Sequence, residues 1–145
     1  MSFSTFGALI FALITSSLTF SAAPQSATYT PKPNSIERKQ ILDALRSPVE
    51  AELKKDVVFK VDHLKVSGDW AFMRGVPMQP GGKSMNYKGT PYEEAIKEGV
   101  FDDGICALLQ MEKGKWRVVT YVIGATDVPY VGWDKEFHAP SQIFK

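Results

Sequence analysis

The sequence is poor in cysteine and histidine and has no excess of either charge. Its 145 residues include one cysteine, Cys106, and two histidines, so an internal disulfide is excluded and a transition-metal centre is not indicated. The 17 Lys and Arg residues nearly balance the 16 Asp and Glu residues, for a net charge of +1. The chain therefore lacks the basic field typical of nucleic-acid-binding proteins, while its 44% hydrophobic content is that of a folded domain.

The longest apolar run lies at the amino terminus. Residues Gly7 to Phe20 contain no charged residue and are followed by Ser21-Ala22-Ala23. The run is too short for a comfortable bilayer span, and with the small residues after it predicts a signal peptide over residues 1–23. Cleavage after Ser21 and a membrane-tethered or buried N-terminal helix are the alternatives. We expect a periplasmic or secreted protein whose mature form has no transmembrane segment.

A Pro-, Ser- and Thr-rich stretch over residues 24–34 predicts an extended leader that cannot fold alone. Residues 35–145 are expected to form a single α+β domain. This domain begins with a helix over about Ser35 to Leu53, because apolar residues recur there with a period near 3.6. Pro48 lies inside this helix and is expected to kink or divide it.

The first predicted hairpin follows the helix. Val57 to Val66 and Trp70 to Val76 have strand patterns on either side of a Ser67-Gly68-Asp69 turn. In the first strand, the alternation of apolar and polar residues shifts by one position near Asp62 or His63. This shift predicts a β-bulge that keeps both halves of the strand on the core face.

The second predicted hairpin joins Ile105 to Met111 and Trp116 to Ile123. The predicted fold is therefore one amphipathic helix packed on a four-stranded antiparallel sheet made of two hairpins. Alternation along the strands predicts one shared buried face beneath the helix. The side chains expected on that face are Leu42, Leu45, Trp70, Phe72, Cys106, Leu108, Trp116 and Val118.

Two segments have no regular pattern. Pro77 to Pro91 is rich in Pro and Gly, which predicts a loop that is mobile alone and ordered with a partner. Tyr92 to Lys97 is predicted as a short helix. The tail after Ala125 carries spaced aromatic residues, and we expect it to wrap over an exposed sheet face or edge.

Short motifs accompany this order of elements. Glu37 to Arg46 reads ERKQILDALR, Gly68-Asp69-Trp70-Ala71 opens the second strand, and Gly114 to Val118 opens the last. With these motifs the chain resembles the helix-on-sheet proteins of the cystatin and NTF2-like type, and also small uncharacterised exported bacterial proteins. The resemblance implies a fold alone. The catalytic residues of NTF2-like isomerases and the inhibitory loop motifs of cystatins have no counterpart here.

Four patterns bear on catalysis or phosphate binding. Cys106 lies in an apolar strand without a flanking base, which indicates a structural thiol. Adjacent strand residues such as Asp62-His63 point to opposite faces, and Asp102-Asp103 has turn composition. Gly81-Gly82-Lys83-Ser84 resembles the end of a phosphate-binding loop, but Pro77 occupies the place of its first glycine. We therefore predict no catalytic, metal or cofactor site.

Basic, aromatic and methionine side chains concentrate in the long loop and the tail. Tyr and Met supply adaptable apolar area, which suits contact with a protein or a small ligand, whereas a solvated insertion is the alternative for the loop. The predicted contact residues are Arg74, Met78, Lys83, Met85, Tyr87, Tyr92, Tyr130 and Trp133.

These features predict a small exported binding domain without catalytic activity and without a nucleic-acid partner. Two alternatives stay open. One is a hydrolase or isomerase that carries Asp62 or His63 in a pocket between helix and sheet. That pocket would be lined by Trp70, Phe72, Trp116 and Tyr121. The other is an immunity or inhibitor protein that uses the same loop in a stoichiometric complex.

Overall fold

The computed structural model describes residues 24–145, and the predicted signal peptide lies outside the described residues. The four strands form one antiparallel sheet in chain order, so the predicted α+β class with a helix and a four-stranded antiparallel sheet is confirmed. The elements are α1 (Ile36–Leu53), β1 (Val58–Ser67), β2 (Trp70–Met78), α2 (Glu93–Lys97), β3 (Ile105–Glu112), β4 (Lys115–Ile123), α3 (Trp133–Glu136) and a 3-10 helix (Ser141–Phe144).

Helix α1 begins at a side-chain cap and is held by its buried stripe. The Ser35 hydroxyl accepts a hydrogen bond from the Arg38 N–H at 3.2 Å. The predicted division at Pro48 is not observed, since α1 runs through it without interruption. Buried side chains on both sides of Pro48 hold the two halves of the helix against the sheet, which offsets the lost hydrogen bond. These side chains are Ile41, Leu45, Val49 and Leu53.

Two β-bulges reset the alternation of the strands. In β1 the pairing skips Asp62 between Val61 and His63, which confirms the predicted bulge. A second bulge, which the sequence analysis did not predict, leaves Val119 of β4 without a partner on β3. The Lys113-Gly114 turn between these two strands has φ angles of 49° and 77°, as a tight type I′ hairpin requires.

The sheet is covered on both faces, and the prediction of a single buried face is wrong. The helix-side core lies under α1 and includes Leu64, Met73, Ala107, Leu109, Trp116 and Ile123. The tail-side core lies under the carboxyl tail and consists of Phe72, Cys106, Leu108, Trp133, Ala139 and Ile143. The error arose because all five residues from Ile105 to Leu109 are buried, so consecutive side chains enter opposite cores.

The leader and the tail both pack on the sheet. Tyr29 and Val66 of β1 exchange two backbone hydrogen bonds of 2.9 and 2.8 Å, so the predicted leader lies along the β1 edge. The Ser67 hydroxyl also donates to the Ser26 carbonyl oxygen at 2.9 Å. The tail covers the face opposite α1, which confirms that it wraps over a sheet face.

The long loop between β2 and α2 is irregular but packed. Met85 and Tyr87 are only 9% and 7% exposed and belong to the helix-side core. The Gln79 N–H donates to the Lys83 carbonyl oxygen at 2.8 Å and closes a small turn within the loop. Within residues 24–145, Met85 and Tyr87 are therefore buried without any partner, and their burial stabilises the segment.

Candidate functional site

The predicted contact residues do not form one surface. Met85 and Tyr87 are buried in the helix-side core, and Trp133 is 6% exposed in the tail-side core. These three side chains therefore pack within the fold and present little area to a ligand. Met78 is partly buried at the end of β2, and Lys83 is exposed in the loop turn.

Arg74 and Tyr130 do lie together. They line a cleft of about 270 Å³ where the tail passes the margin of the sheet, and we call this site the Arg74 cleft. Besides Arg74 and Tyr130, its walls include the carboxylates of Asp62, Asp102 and Asp127. Its apolar part is formed by Ile105, Cys106, Val122, Val128 and Pro129. The cleft thus joins the β1 bulge, β2, β3 and the tail.

Arg74 is held by the ring of Tyr130. Its Nη1–H donates to the Tyr130 hydroxyl at 3.3 Å, and its guanidinium carbon lies 5.7 Å from the ring centroid, within cation–π range. The Tyr130 ring packs on Phe72 with centroids 4.8 Å apart, which anchors it to the tail-side core. Among residues 24–145 no ion pair involves Arg74. The remaining guanidinium donors are therefore free for a ligand.

The three carboxylates of the cleft are also without ion-pair partners in the described part of the chain. Asp62 stands at the β1 bulge, and Asp127 is exposed on the tail. Asp102 Oδ1 accepts a hydrogen bond from the Gly104 N–H at 3.0 Å, which fixes its loop before β3. The cleft therefore presents an open positive charge and three open negative charges within one small volume.

Comparisons with protein-family models, with curated proteins and with solved structures found no match. What the cleft binds must therefore be argued from its own chemical groups. From residue 24 to residue 145, no group of three or more His, Cys, Asp and Glu side chains could hold a metal ion. Over the same residues, no helix combines the length and apolar character that crossing a membrane requires.

Cys106 lines the Arg74 cleft but is a poor nucleophile. Burial raises the pKa of its thiol to about 11, so the thiol is protonated at neutral pH. His63 and Cys106 pair with Arg74 from opposite sides in one row across the sheet, so about 10 Å separates their Cα atoms. The His63 Nε2 is 2.8 Å from the Ile143 carbonyl oxygen, which holds the imidazole against the tail. His63 is therefore too far from the thiol to act as its base.

The pocket expected for the hydrolase or isomerase alternative does not form. Phe72 is buried in the tail-side core and Trp70 packs against it. Trp116 and Tyr121 belong to the helix side of the sheet. The four side chains cannot line one pocket, because residues of these two sets point to opposite faces.

A second polar cluster lies on the helix side. Tyr92 donates to Glu52 Oε1 at 2.5 Å, and Tyr121 donates to the other carboxylate oxygen. Burial and the bond to Glu52 raise the pKa of Tyr121 to about 12 and hold the pKa of Tyr92 well above its usual value. Both phenols stay protonated and tie the end of α1 to β4 and to the start of α2. Tyr92 is thus engaged within the fold, and no local sequence pattern pointed to Glu52.

Proposed function

We propose that this protein is an exported, non-catalytic binding domain that takes a small zwitterionic ligand, an amino acid or a short peptide, in the Arg74 cleft. One observation carries the proposal. An open guanidinium and three open carboxylates share a cleft of about 270 Å³ with an apolar wall. A ligand with a carboxylate, an ammonium group and a modest apolar body matches all three features.

The charges of the cleft favour a zwitterion over an ion of one sign. The Arg74 guanidinium offers paired N–H donors that match the two oxygens of a carboxylate. A purely anionic ligand is repelled by Asp62, Asp102 and Asp127. A purely cationic ligand leaves the guanidinium of Arg74 without a partner, whereas the carboxylate of a zwitterion provides one. The protonated thiol of Cys106 and its distance from His63 support binding rather than covalent chemistry.

The decisive experiment compares three probes that share one branched apolar body. These are L-leucine, 4-methylpentanoate and isopentylamine, which carry both charges, the carboxylate alone and the ammonium alone. Titrations are followed by the ¹H–¹⁵N chemical shifts of the backbone amides. Leucine should show saturable binding at the Arg74 cleft, with an affinity at least about tenfold higher than that of either single-charge probe. Equal binding of leucine and either single-charge probe, or no saturable leucine binding, would overturn the proposal.

Two arginine variants provide the matched test. Arg74→Gln removes the cleft guanidinium and should weaken leucine binding at least about tenfold, because hydrogen bonds to charged groups contribute about 1.5–3 kcal/mol. Arg117→Gln changes an exposed arginine on β4 whose partner is Glu112, and should leave the affinity unchanged. Equal losses in the two variants would mean that general charge, rather than the cleft, determines binding.

Export is a proposal supported by the apolar run from Gly7 to Phe20 and the small residues after it. Terminal sequencing of protein recovered from the periplasm or the medium should find a start between Ala22 and Pro24. Full-length protein confined to the cytosol would contradict export.

We also propose that the fold is of the cystatin or NTF2-like type. The long helix α1 precedes four strands that pair in chain order, with the short α2 between β2 and β3, and this order supports the assignment. The assignment carries no protease inhibition, since the inhibitory motifs of cystatins are missing from the loops. An experimental structure in which the helix does not lie on the sheet would exclude it.

A further inference from the structure

A second cleft opens at the start of β2. It has a volume of about 400 Å³ and is bounded by the leader, the β1–β2 turn and the end of the tail. We call it the Trp70 cleft, after the residue that opens β2. Trp70 lies four residues before Arg74 on the same face, about 13 Å away along the strand. The residues that line this cleft are not among those that line the Arg74 cleft.

Trp70 is the aromatic group available in this cleft. Of the three tryptophans in the chain, Trp116 and Trp133 are only 8% and 6% exposed, whereas Trp70 is partly exposed. Trp70 packs against the tail-side core and also lines the cleft. Its indole therefore offers apolar area to a ligand from a fixed position.

The polar side chains around Trp70 are mainly neutral amides and hydroxyls. Gln25 comes from the leader, Gln110 from β3, and Ser141 and Gln142 from the 3-10 helix. Among residues 24–145, no hydrogen bond engages any of these four side chains, so their donors and acceptors are open to a ligand. An amide presents a donor and an acceptor together, which suits a hydroxyl group that both donates and accepts.

The walls of the cleft are held by the fold. The Ser67 hydroxyl ties the leader by its bond to the Ser26 carbonyl oxygen, at 2.9 Å. The Met111 N–H donates to the Asp69 carbonyl oxygen at 2.7 Å and fixes the β1–β2 turn against β3. The tail wall is anchored by Ile143, which is fully buried in the tail-side core. The leader, the turn and the tail that bound the cleft are therefore held in place by contacts within the fold.

We propose that the Trp70 cleft binds a neutral oligosaccharide. The apolar C–H face of a sugar ring matches the indole, and its hydroxyl groups match the free amides. Among residues 24–145 the lining contains no lysine or arginine, so a phosphate or another strong anion finds no ammonium or guanidinium group there; the one histidine of this lining is His138. Within the described part of the chain, Asp69 is the one carboxylate in the lining, and it accepts hydrogen bonds from hydroxyl groups as readily as from water.

The intrinsic fluorescence of the protein provides the direct test, because Trp70 is the partly exposed tryptophan. Tri-N-acetylchitotriose, maltotriose and cellotriose are titrated separately to about 10 mM, a range that detects millimolar dissociation constants. At least one trisaccharide should give a saturable change in emission. If none of the three gives one, the proposal is overturned.

Glutamine variants then locate the site by calorimetry, which does not depend on Trp70 as reporter. Gln110→Leu and Gln142→Ala should each weaken trisaccharide binding at least about fivefold. Gln40→Leu changes an exposed glutamine on α1 and should leave the affinity unchanged. Circular dichroism confirms that each variant is folded. Since Gln142 is exposed, its variant keeps the test valid even if Gln110→Leu fails to fold.

The sugar site is distinguished from the Arg74 cleft by crossing the two sets of probes. Arg74→Gln should leave trisaccharide affinity unchanged, and Gln142→Ala should leave leucine affinity unchanged. Trisaccharide binding that is lost in Arg74→Gln but kept in Gln142→Ala would place the sugar elsewhere and overturn the proposal. The proposal for the Trp70 cleft therefore stands or falls independently of the proposed zwitterion site.

Discussion

The two faces of the sheet are buried by different kinds of structure. The helix side is covered by the continuous helix α1 and the packed loop, and its centre is largely aliphatic. The tail side is covered by short turns and helices, and its centre is the ring of Phe72, whose centroid lies 4.8 Å from that of Tyr130 and 4.6 Å from that of Phe144. Both proposed ligand clefts open beside this second cover. Because this cover is irregular, it leaves side chains accessible at the margins of the sheet, where both proposed clefts lie.

The largest expected loss of stability comes from truncating a large side chain at the centre of either core. Phe72→Ala should lower the free energy of unfolding by about 3–5 kcal/mol and Leu109→Ala by about 2–5 kcal/mol, since both side chains are fully buried. Urea denaturation measures both losses.

The same two variants should differ in their effect on the carboxyl tail. Phe72→Ala removes the ring that supports the tail, so Trp133 should become more exposed and its emission should shift to longer wavelength. Leu109→Ala leaves the tail contacts in place and should not cause this shift. Equal red shifts in the two folded variants would mean that the two cores are not independent.

A smaller effect is expected from adding a methyl group at Gly75, which lines the Arg74 cleft. A Cβ on Gly75 would lie 2.2 Å from the Lys60 carbonyl oxygen, so Gly75→Ala requires β1 and β2 to separate. We expect a loss of about 1–3 kcal/mol in thermal or urea denaturation. Gly104→Ala is the matched control, because its Cβ would meet no atom closer than 3.5 Å, and it should stay within about 0.5 kcal/mol of wild type. Similar losses at both positions would contradict this reading of the close approach.

Two tyrosines of the helix side should respond to loss of the hydroxyl with opposite signs. The Tyr87 hydroxyl is buried without a hydrogen-bond partner among the described residues, so Tyr87→Phe should raise the free energy of unfolding by about 1 kcal/mol. Tyr121→Phe loses its bond to Glu52 and should lower it by about 1 kcal/mol. A loss of stability in Tyr87→Phe would reveal a partner for its hydroxyl.

The raised pKa values of Tyr87 and Tyr121 predict that the stability of the protein depends on pH in the alkaline range. Burial raises the pKa of Tyr87 to about 12, and burial with the Glu52 bond raises that of Tyr121 to about 12. The folded state holds these protons more tightly than the unfolded state, in which the pKa is about 10. The tighter binding of these two protons favours the folded state. This effect is complete below pH 10 and is lost as the pH rises through 12. Urea midpoints should fall over that interval, and by less in Tyr87→Phe than in wild type.

The smallest effect is expected at Cys106 on the tail side. Cys106→Ala should cost about 0.5–1 kcal/mol and leave leucine binding intact. A pKa of about 11 keeps the thiol protonated, so a disulfide reagent at pH 8 should label the folded protein at least about tenfold more slowly than the urea-unfolded protein. Fast labelling of the folded protein, with loss of binding in the variant, would give the thiol a functional role.

The strands and the α+β class followed from periodicity and turn chemistry in the sequence. The parity shift near Asp62 predicted a real bulge, because a strand with a buried side must restore its alternation after an inserted residue. The assignment of faces failed at β2 and β3. Alternation distinguishes a buried face from a solvated one, but the fully buried run from Ile105 to Leu109 has no solvated face to distinguish.

The candidate site was predicted only in part. Arg74 and Tyr130 were both named as contact residues, but 56 positions separate them, and their meeting depends on how the tail crosses the sheet. The open carboxylates of Asp102 and Asp127 resemble ordinary turn residues in the sequence. The same composition that marks a solvated turn also lines a cleft when a second segment packs beside it.

The leader and the bulge at Val119 lie at the two edge strands of the sheet. A sheet edge exposes unpaired backbone groups that accept a strand from another chain, and this is a common route to aggregation. On the β1 edge the leader occupies part of these groups through Tyr29. On the β4 edge the exposed Lys115 and Arg117 add charge, and the bulge at Val119 breaks the regular spacing of the ladder. The two margins of the sheet thus oppose the addition of a foreign strand by different means, one by occupying the edge and the other by charging and distorting it.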